Sequence, residues 1–255
     1  MRNISIIALC LISASAAAQG NVLTISGGAA VAPRYLGSDK DQPLPLAIID
    51  YQMANGFFFS SMRGIGYAES LGSLQFSSAL GYRGERSESK RYGFGGSRGD
   101  AALRGMGDVE GSPTALVGVT LKLPARFALN ARFETPLTRR ENGDAGSIGL
   151  SSVLVDGRKN HLMVSAVASA GDGKFMQTYF GVTSSQAARS SHARFTPKRG
   201  IYQGELSVVW VHHIDQRWSV STTLAASSLA GDARLSPLAR RTTAPSGALY
   251  ASYRY

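Results

Sequence analysis

Stretches of about ten residues whose apolar and polar side chains alternate recur along this chain, which is the length and pattern a tilted, membrane-crossing β-strand requires. Phe127 to Thr135 is the clearest case. Phe127, Leu129, Ala131, Phe133 and Thr135 point one way, and Ala128, Asn130, Arg132 and Glu134 the other, because successive side chains of an extended chain alternate between faces. Ala115–Leu123, Leu206–His212 and Trp218–Ala226 repeat the pattern. The last ten residues carry it to the C-terminus, with Leu249, Ala251, Tyr253 and Tyr255 on one face. A soluble sheet with one wet face alternates in the same way, so alternation alone leaves a β-sandwich open. In a closed barrel the last strand has a definite role, since it pairs with the first and removes the exposed edge.

The connections favour the barrel. Short turns fall near Gly72, Pro124, Asp156 and Asp215, and long loops at 83–111, 137–146, 171–199 and 230–245. This is the arrangement of outer-membrane barrels, with short periplasmic turns and long extracellular loops. The expectation is an all-β, antiparallel, up-and-down transmembrane barrel of ten to twelve strands. Its N-terminal topology is open. Pro43–Gln52 and Phe57–Tyr67 read as a hairpin around Asn55-Gly56. Counting back from Tyr255 then puts that turn outside and the Pro33–Gln42 loop inside. Either Val22–Ala32 does not span, or a strand has been missed, with Met176–Val182 the candidate. Tyr51, Phe57, Phe58 and Phe59 crowd the turn as an interfacial aromatic girdle would. The Gly-rich stretch 83–111 reads as a mobile loop.

Residues 1–18 read as a secretory signal peptide: Arg2, an apolar run from Ile4, then Ala16-Ala17-Ala18, with cleavage before Gln19. Residues 19–255 then form one barrel domain. The only cysteine, Cys10, lies in the signal, so the mature chain has neither disulfides nor thiol chemistry. The formal charge is +10, which suits anionic surroundings such as lipopolysaccharide phosphates. Nucleic acid is not expected for an exported chain.

Chemistry-bearing patterns are sparse. The histidines are His161, His192, His212 and His213, without a zinc-binding spacing. No G-x-S-x-G elbow marks a nucleophile, and Asp108 and Glu110 read as solvated loop acids. No catalytic, cofactor or metal residue is assigned, and the chain is expected not to be an enzyme. Asn130, Arg132 and Glu134 are candidate lumen-facing residues, with Arg132 and Glu134 able to pair. Arg86, Lys90, Arg91, Arg194, Lys198, Arg199, Arg240 and Arg241 are candidate contacts to lipopolysaccharide or a protein partner, by charge-assisted hydrogen bonds.

Five stretches carry a family resemblance: P-R-Y-L-G-S-D (Pro33–Asp39), P-L-P-L (Pro43–Leu46), L-R-G-M-G-D (Leu103–Asp108), Thr178–Ser190 and Ser227–Leu238. They resemble the MipA/OmpV family of outer-membrane proteins, in order and over nearly the whole mature chain. Two departures are the terminal Tyr255, where such barrels more often end in Phe, and a more basic stretch after Ser190. The resemblance implies a scaffold that bridges a murein lytic transglycosylase and a penicillin-binding protein. It also implies that Leu249, Ala251, Tyr253 and Tyr255 form the signal read by the barrel-assembly machinery. Other members are described as porin-like or adhesive, so a small-solute channel or surface-binding barrel stands as the alternative. A monomer in the outer membrane of a Gram-negative bacterium is expected.

Overall fold

The structure is a computed structural model that describes residues 20–89 and 99–255. Twelve antiparallel strands close into a barrel in which each pairs with its sequence neighbours and the last seals against the first. They are β1 (Val22–Pro33), β2 (Asp41–Gln52), β3 (Phe57–Ser60), β4 (Gly64–Leu71), β5 (Leu74–Arg83), β6 (Ser112–Lys122), β7 (Phe127–Pro136), β8 (Ala145–Asp156), β9 (Asn160–Gly171), β10 (Gly200–His213), β11 (Trp218–Leu229) and β12 (Thr243–Arg254). The signal-peptide reading, Cys10, Lys90 and Arg91 lie outside the described residues.

Alternation is what makes this barrel an inside-out protein. Leu80, Val117, Ile148, Leu206, Leu224 and Leu249 are all more than half exposed on the outer wall. Contiguous apolar surface on that scale is foreign to a water-facing monomer and natural against lipid. The inner face carries small hydroxyls that satisfy one another, as in Ser26–Ser252 at 2.8 Å and Ser165–Ser207 at 2.7 Å. At the seam, Thr24 through Val31 pair with Arg254 through Gly247. Leu249 and Tyr255 project outward there, while Tyr250 and Ser252 are buried inside.

The missing strand is found where the sequence pattern predicts a continuous one. Phe57–Tyr67 is broken by a turn at 61–63 into β3 and β4. Met176–Val182 is not a strand: most of it belongs to a helix, α1 (Gly173–Phe180). The count of twelve corrects the parity. The loop after β1 joins the long-loop end, the Asn55-Gly56 turn joins the short-turn end, and β1 spans. Phe57 and Phe59 face outward as a girdle residue should, but Phe58 turns inward and is buried.

The turn that splits the strand is built by local chemistry. Ser60 Oγ accepts the backbone N–H groups of Met62 and Arg63, each at 3.2 Å. Gly64 follows at φ +90°, and a Cβ there would stand 2.0 Å from the Leu80 carbonyl oxygen. Only glycine tolerates that backbone and that approach. Because β3 is so short, it pairs with β2 only at Asp50–Gln52, extended to Ile49 by the Ser61 N–H to Ile49 carbonyl bond of 2.9 Å. From Asp41 to Ile48, β2 has a strand partner on the β1 side alone. Gly81–Arg83 of β5 likewise pair only with β6. The wall is therefore continuous at the short-turn end and notched toward the long-loop end.

Two prolines fit this edge. The N–H and carbonyl of Ile49 both point toward β3, so Pro43 and Pro45, at the same parity in a regular ladder with β1, turn their ring nitrogens to the notch. Proline has no N–H to leave unpaired, which is why it is confined to such positions in sheets. The P-L-P-L motif is thus a legible sign of an open edge within an apparently ordinary strand.

Candidate functional site

The long loops fold inward and pack. Besides α1 they carry α2 (Ser184–Ala188), α3 (Gly231–Arg234) and a 3-10 turn at Ala101–Leu103. Asp172 caps α1 by accepting the Phe175 N–H at 2.7 Å, and Thr183 with Gln186 forms a capping box on α2. One apolar cluster joins Phe175, Met176, Tyr179 and Phe180 to Tyr202 and Leu229 of the barrel wall. A second joins Tyr35, Leu103, Met106, Val182 and Leu238 across the loops. Polar bonds tie the layers: Ser236 Oγ donates to the Phe180 carbonyl at 2.6 Å, Gln186 Nε2 to Met106 at 2.7 Å, and Tyr35 Oη to Leu238 at 3.1 Å. Buried Asp100 lies 3.6 Å from both Arg34 and Lys40. This is a cap with its own core. The described part of 83–111, expected to be a mobile loop, belongs to it through Leu103, Met106 and the Arg86–Val109 backbone pair at 2.8 and 2.9 Å.

Beneath the cap lies a cavity of about 350 Å³. It extends from Tyr202 on β10 and Glu134 on β7 to the Ser61–Gly64 turn and the Leu80–Arg83 end of β5. Four arginines line it, Arg63, Arg83, Arg86 and Arg132, against one carboxylate, Glu134. Arg83 is buried and donates from Nε to Glu134 Oε1 at 3.2 Å and from Nη1 to the Asn142 and Gly143 carbonyls at 3.2 and 2.8 Å. Its guanidinium stands 5.3 Å from the Phe175 ring centroid. Arg63 pairs with Asp50 outside the lining.

Arg86 is 3% exposed, and among the described residues no carboxylate comes within ion-pair distance of it. Its Nη1 donates to the Tyr179 carbonyl at 2.9 Å. Burial holds its pKa below the usual arginine range, partly offset by Tyr179, Tyr35 and the more distant Asp108 carboxylate. A buried cation without an ion-pair partner is costly, and its Nε, like Arg83 Nη2, lacks a hydrogen-bond partner in the described structure. The Tyr179 hydroxyl beside Arg83 is likewise not well aligned with any acceptor or donor, and burial raises its pKa.

Asn130, Arg132 and Glu134 all face the interior. Asn130 bridges Thr120 and Ser151 at 3.0 and 3.1 Å. The expected Arg132–Glu134 pair is not formed; Glu134 pairs instead with Arg83, which reaches it across β6 on the same inner face. Of the surface candidates, Arg194, Lys198, Arg199 and Arg240 are exposed on the long loops. Arg86 is corrected to an interior residue, and Arg241 is engaged with Asp41 and with the Ser38 carbonyl at 3.1 Å. Asp108 and Glu110 are exposed in the loop, as solvated acids are, and each has a partner: Asp108 accepts from Ser87 at 2.8 Å, and Glu110 pairs with Arg139.

The histidines are dispersed. His192 Nε2 donates to the Ala102 carbonyl at 2.7 Å within the cap, His161 lies 3.2 Å from Asp156, and His212 lies 2.9 Å from Asn160. No metal-binding cluster occurs among the described residues.

The short-turn end is compact and basic. Arg126, Arg158, Lys159, Arg217 and Arg254 are exposed there. The nearby acids are occupied: Asp156 by His161, and Asp215 by the N–H groups of Arg217 and Trp218, both at 2.7 Å. Those two bonds hold the Asp215 carboxyl below its ordinary pKa.

The family model described as MltA-interacting protein MipA matches residues 25–255. No curated protein matches the chain. Among solved structures, the chain is similar to the NanC porin, with 7% identity, a TM-score of 0.44, and coverage of 91% of this chain and 98% of that one. An outer-membrane channel from Pseudomonas putida F1 matches with 13% identity, a TM-score of 0.42, and coverage of 92% and 94%. The outer-membrane channel DcaP of Acinetobacter baumannii matches with 10% identity, a TM-score of 0.37, and coverage of 92% and 96%.

Proposed function

The chain belongs to the MltA-interacting protein family, and on that premise we propose that it is a non-enzymatic docking platform for murein-remodelling enzymes, a lytic transglycosylase and a penicillin-binding protein. It is an outer-membrane β-barrel, with the short turns in the periplasm and the long loops outside. Murein enzymes work in the periplasm. The strand count removes the long basic loops from their reach, so docking falls to the short turns.

The basic periplasmic rim carries the reading. Arg126, Arg158, Lys159, Arg217 and Arg254 project from tight turns whose acids are already engaged. Such a surface is net basic, its cations outnumbering Asp156 and Asp215, and it favours a partner with an acidic face by steering and complementarity. The extracellular cap supports the same reading against a wide pore, because its packed core stands over the lumen.

The test is affinity capture. The folded barrel is immobilised and exposed to solubilised envelope extract, beside an unrelated barrel of similar charge. Retention of an identified lytic transglycosylase or penicillin-binding protein, lost when Arg126, Lys159 and Arg217 are changed to Glu, is the expected result. Retention no better than the control removes the platform role.

A further inference from the structure

The notch and the cavity lie on one path. The cavity lining includes Ser61–Gly64, which form the floor of the notch, and Leu80–Arg83, which form one flank. The other flank is the β2 edge from Asp41 to Ile48, roughly 27 Å long at about 3.4 Å per residue. This part of the wall is nearer the long loops, at the level of the outer leaflet. Outside the notch the wall is apolar, with Leu80 at 60% and Ile49 at 46% exposure. Inside, the surroundings change to guanidinium groups.

We infer that the barrel binds a single-chain anionic amphiphile that enters sideways from the outer leaflet through the β2–β5 notch, its acidic head held by Arg83, Arg86 and Arg132. Four observations converge on that ligand. Arg83 and Arg86 are each more than nine-tenths buried, line the cavity, and retain an N–H without a partner, Nη2 and Nε respectively. Arg132 is exposed into the cavity and makes no hydrogen bond or ion pair among the described residues. Pairing Arg83 with Glu134 and Arg63 with Asp50 leaves Arg86 and Arg132 without an ion-pair partner among the described residues. The volume of about 350 Å³ sits at the small end of ligand pockets, which run about 300–1,000 Å³, and suits one acyl chain with its head rather than a multi-chain lipid. A carboxylate or phosphate head would satisfy the idle donors by charge-assisted hydrogen bonds, while the chain crosses an opening that a hydrated ion has no reason to use. Pro43 and Pro45 remove two successive donors from the β2 flank that would otherwise help recruit a strand to close it.

The experiment measures tritiated palmitate on the full-length folded barrel in a non-ionic detergent, by scintillation proximity. Competitors are palmityl alcohol, palmitoyl lysophosphatidate and inorganic phosphate. The variants are Arg132→Gln, which has no partner to lose, and Gly81→Leu, whose side chain projects toward Leu116 inside the cavity. Folding is followed by heat-modifiable gel mobility. Saturable binding of one palmitate per barrel, weakened at least tenfold in Arg132→Gln and in every folded preparation of Gly81→Leu, is the expected result. Displacement by lysophosphatidate at lower concentration than by palmitate itself identifies the head as a lipid phosphate. The reverse order identifies a free fatty acid, and either order upholds the site. Absent or non-saturable binding overturns the inference, as does unchanged affinity in Arg132→Gln. Equal competition by palmityl alcohol also overturns it, because the arginines then recognise nothing, and equal competition by inorganic phosphate removes the chain from recognition.

Discussion

Arg63 reaches back across the β3–β4 turn to hold Asp50 of β2 with two prongs, Nη2 to Oδ1 at 2.9 Å and Nε to Oδ2 at 3.3 Å. The same guanidinium lies 4.2 Å from the Phe58 ring centroid. One contact thus fastens the floor of the notch to the last stretch of β2 that has a partner on that side. Asp50→Asn removes the charge and one prong while keeping the shape. Hydrogen bonds to charged groups contribute about 1.5–3 kcal/mol, and partial exposure reduces this, so a loss of roughly 1–2 kcal/mol is expected. Urea unfolding of the detergent-solubilised barrel measures it, and Arg63→Lys is expected to recover only part, since lysine cannot make the fork.

Gly64→Ala tests the turn itself. The backbone there is left-handed, and the new Cβ would meet a carbonyl of the neighbouring strand rather than a yielding side chain. Strain of this kind costs on the order of 1–3 kcal/mol before the clash is counted. The expected outcome is a large fall in heat-modifiable, folded barrel on refolding, whereas Gly72→Ala, with open space around it despite its positive φ, is expected to be much milder.

Tyr35 offers a pH test of the cap. Burial, then the charge of Asp100, pushes its phenol up to about 12, against about 10 in an unfolded chain. The folded state therefore favours the protonated phenol. Its contribution is complete below about pH 10 and is lost as pH rises toward about 12. Ultraviolet titration of the tyrosinates in wild type and Tyr35→Phe is expected to differ by one late-titrating group, and cap loosening in the wild type is expected within that window.

Conductance separates the two readings of the lumen. With the cap packed, steady single-channel current in planar bilayers is expected to be small or absent. Phe180, fully buried at the centre of the cap, becomes an unpaired buried charge in Phe180→Asp, which a core does not accept. That variant is expected to gate noisily open over the hydroxyl-lined lumen. Robust current from the wild type would favour the small-solute channel over the docking platform.

The seam gives the last prediction. Tyr253 packs edge-on against Trp218 and Tyr255, with centroids 4.9 and 4.6 Å apart, and accepts a hydrogen bond from Arg217 at 3.0 Å. Tyr253→Ser is expected to slow assembly by the barrel-assembly machinery, read as accumulation of unfolded protein in a reconstituted insertion assay, more than Ser252→Ala does.

The barrel is legible in the sequence because lipid and lumen impose opposite demands on alternate residues, and Leu129–Glu134 shows both demands in turn. The strand break at 61–63 is not legible, because Ser61-Met62-Arg63 lacks the Pro, Asn or Asp that usually announces a turn, and Gly64 inside an aromatic run reads as a tolerated defect. The cavity is partly legible. Arg132 and Glu134 fall on the polar face of a strand, but Arg83 and Arg86 group with surface charges. Only the loops folding inward turn Arg86 from a surface residue into a buried one, and no local pattern encodes that. Pro43 and Pro45 are the available sign, since their spacing removes donors from one side of a strand only.

Those prolines also bear on the barrel's neighbours. Outer-membrane barrels lie side by side in a crowded sheet of lipid, and a bare strand edge invites exchange with another protein's hairpin or capture by a β-mimetic peptide. Along β2 an intruder would meet carbonyl acceptors at positions 43 and 45 but no reciprocal donors, so its ladder would stall near the rim. The opening can persist in the wall without becoming a seed for polymerisation.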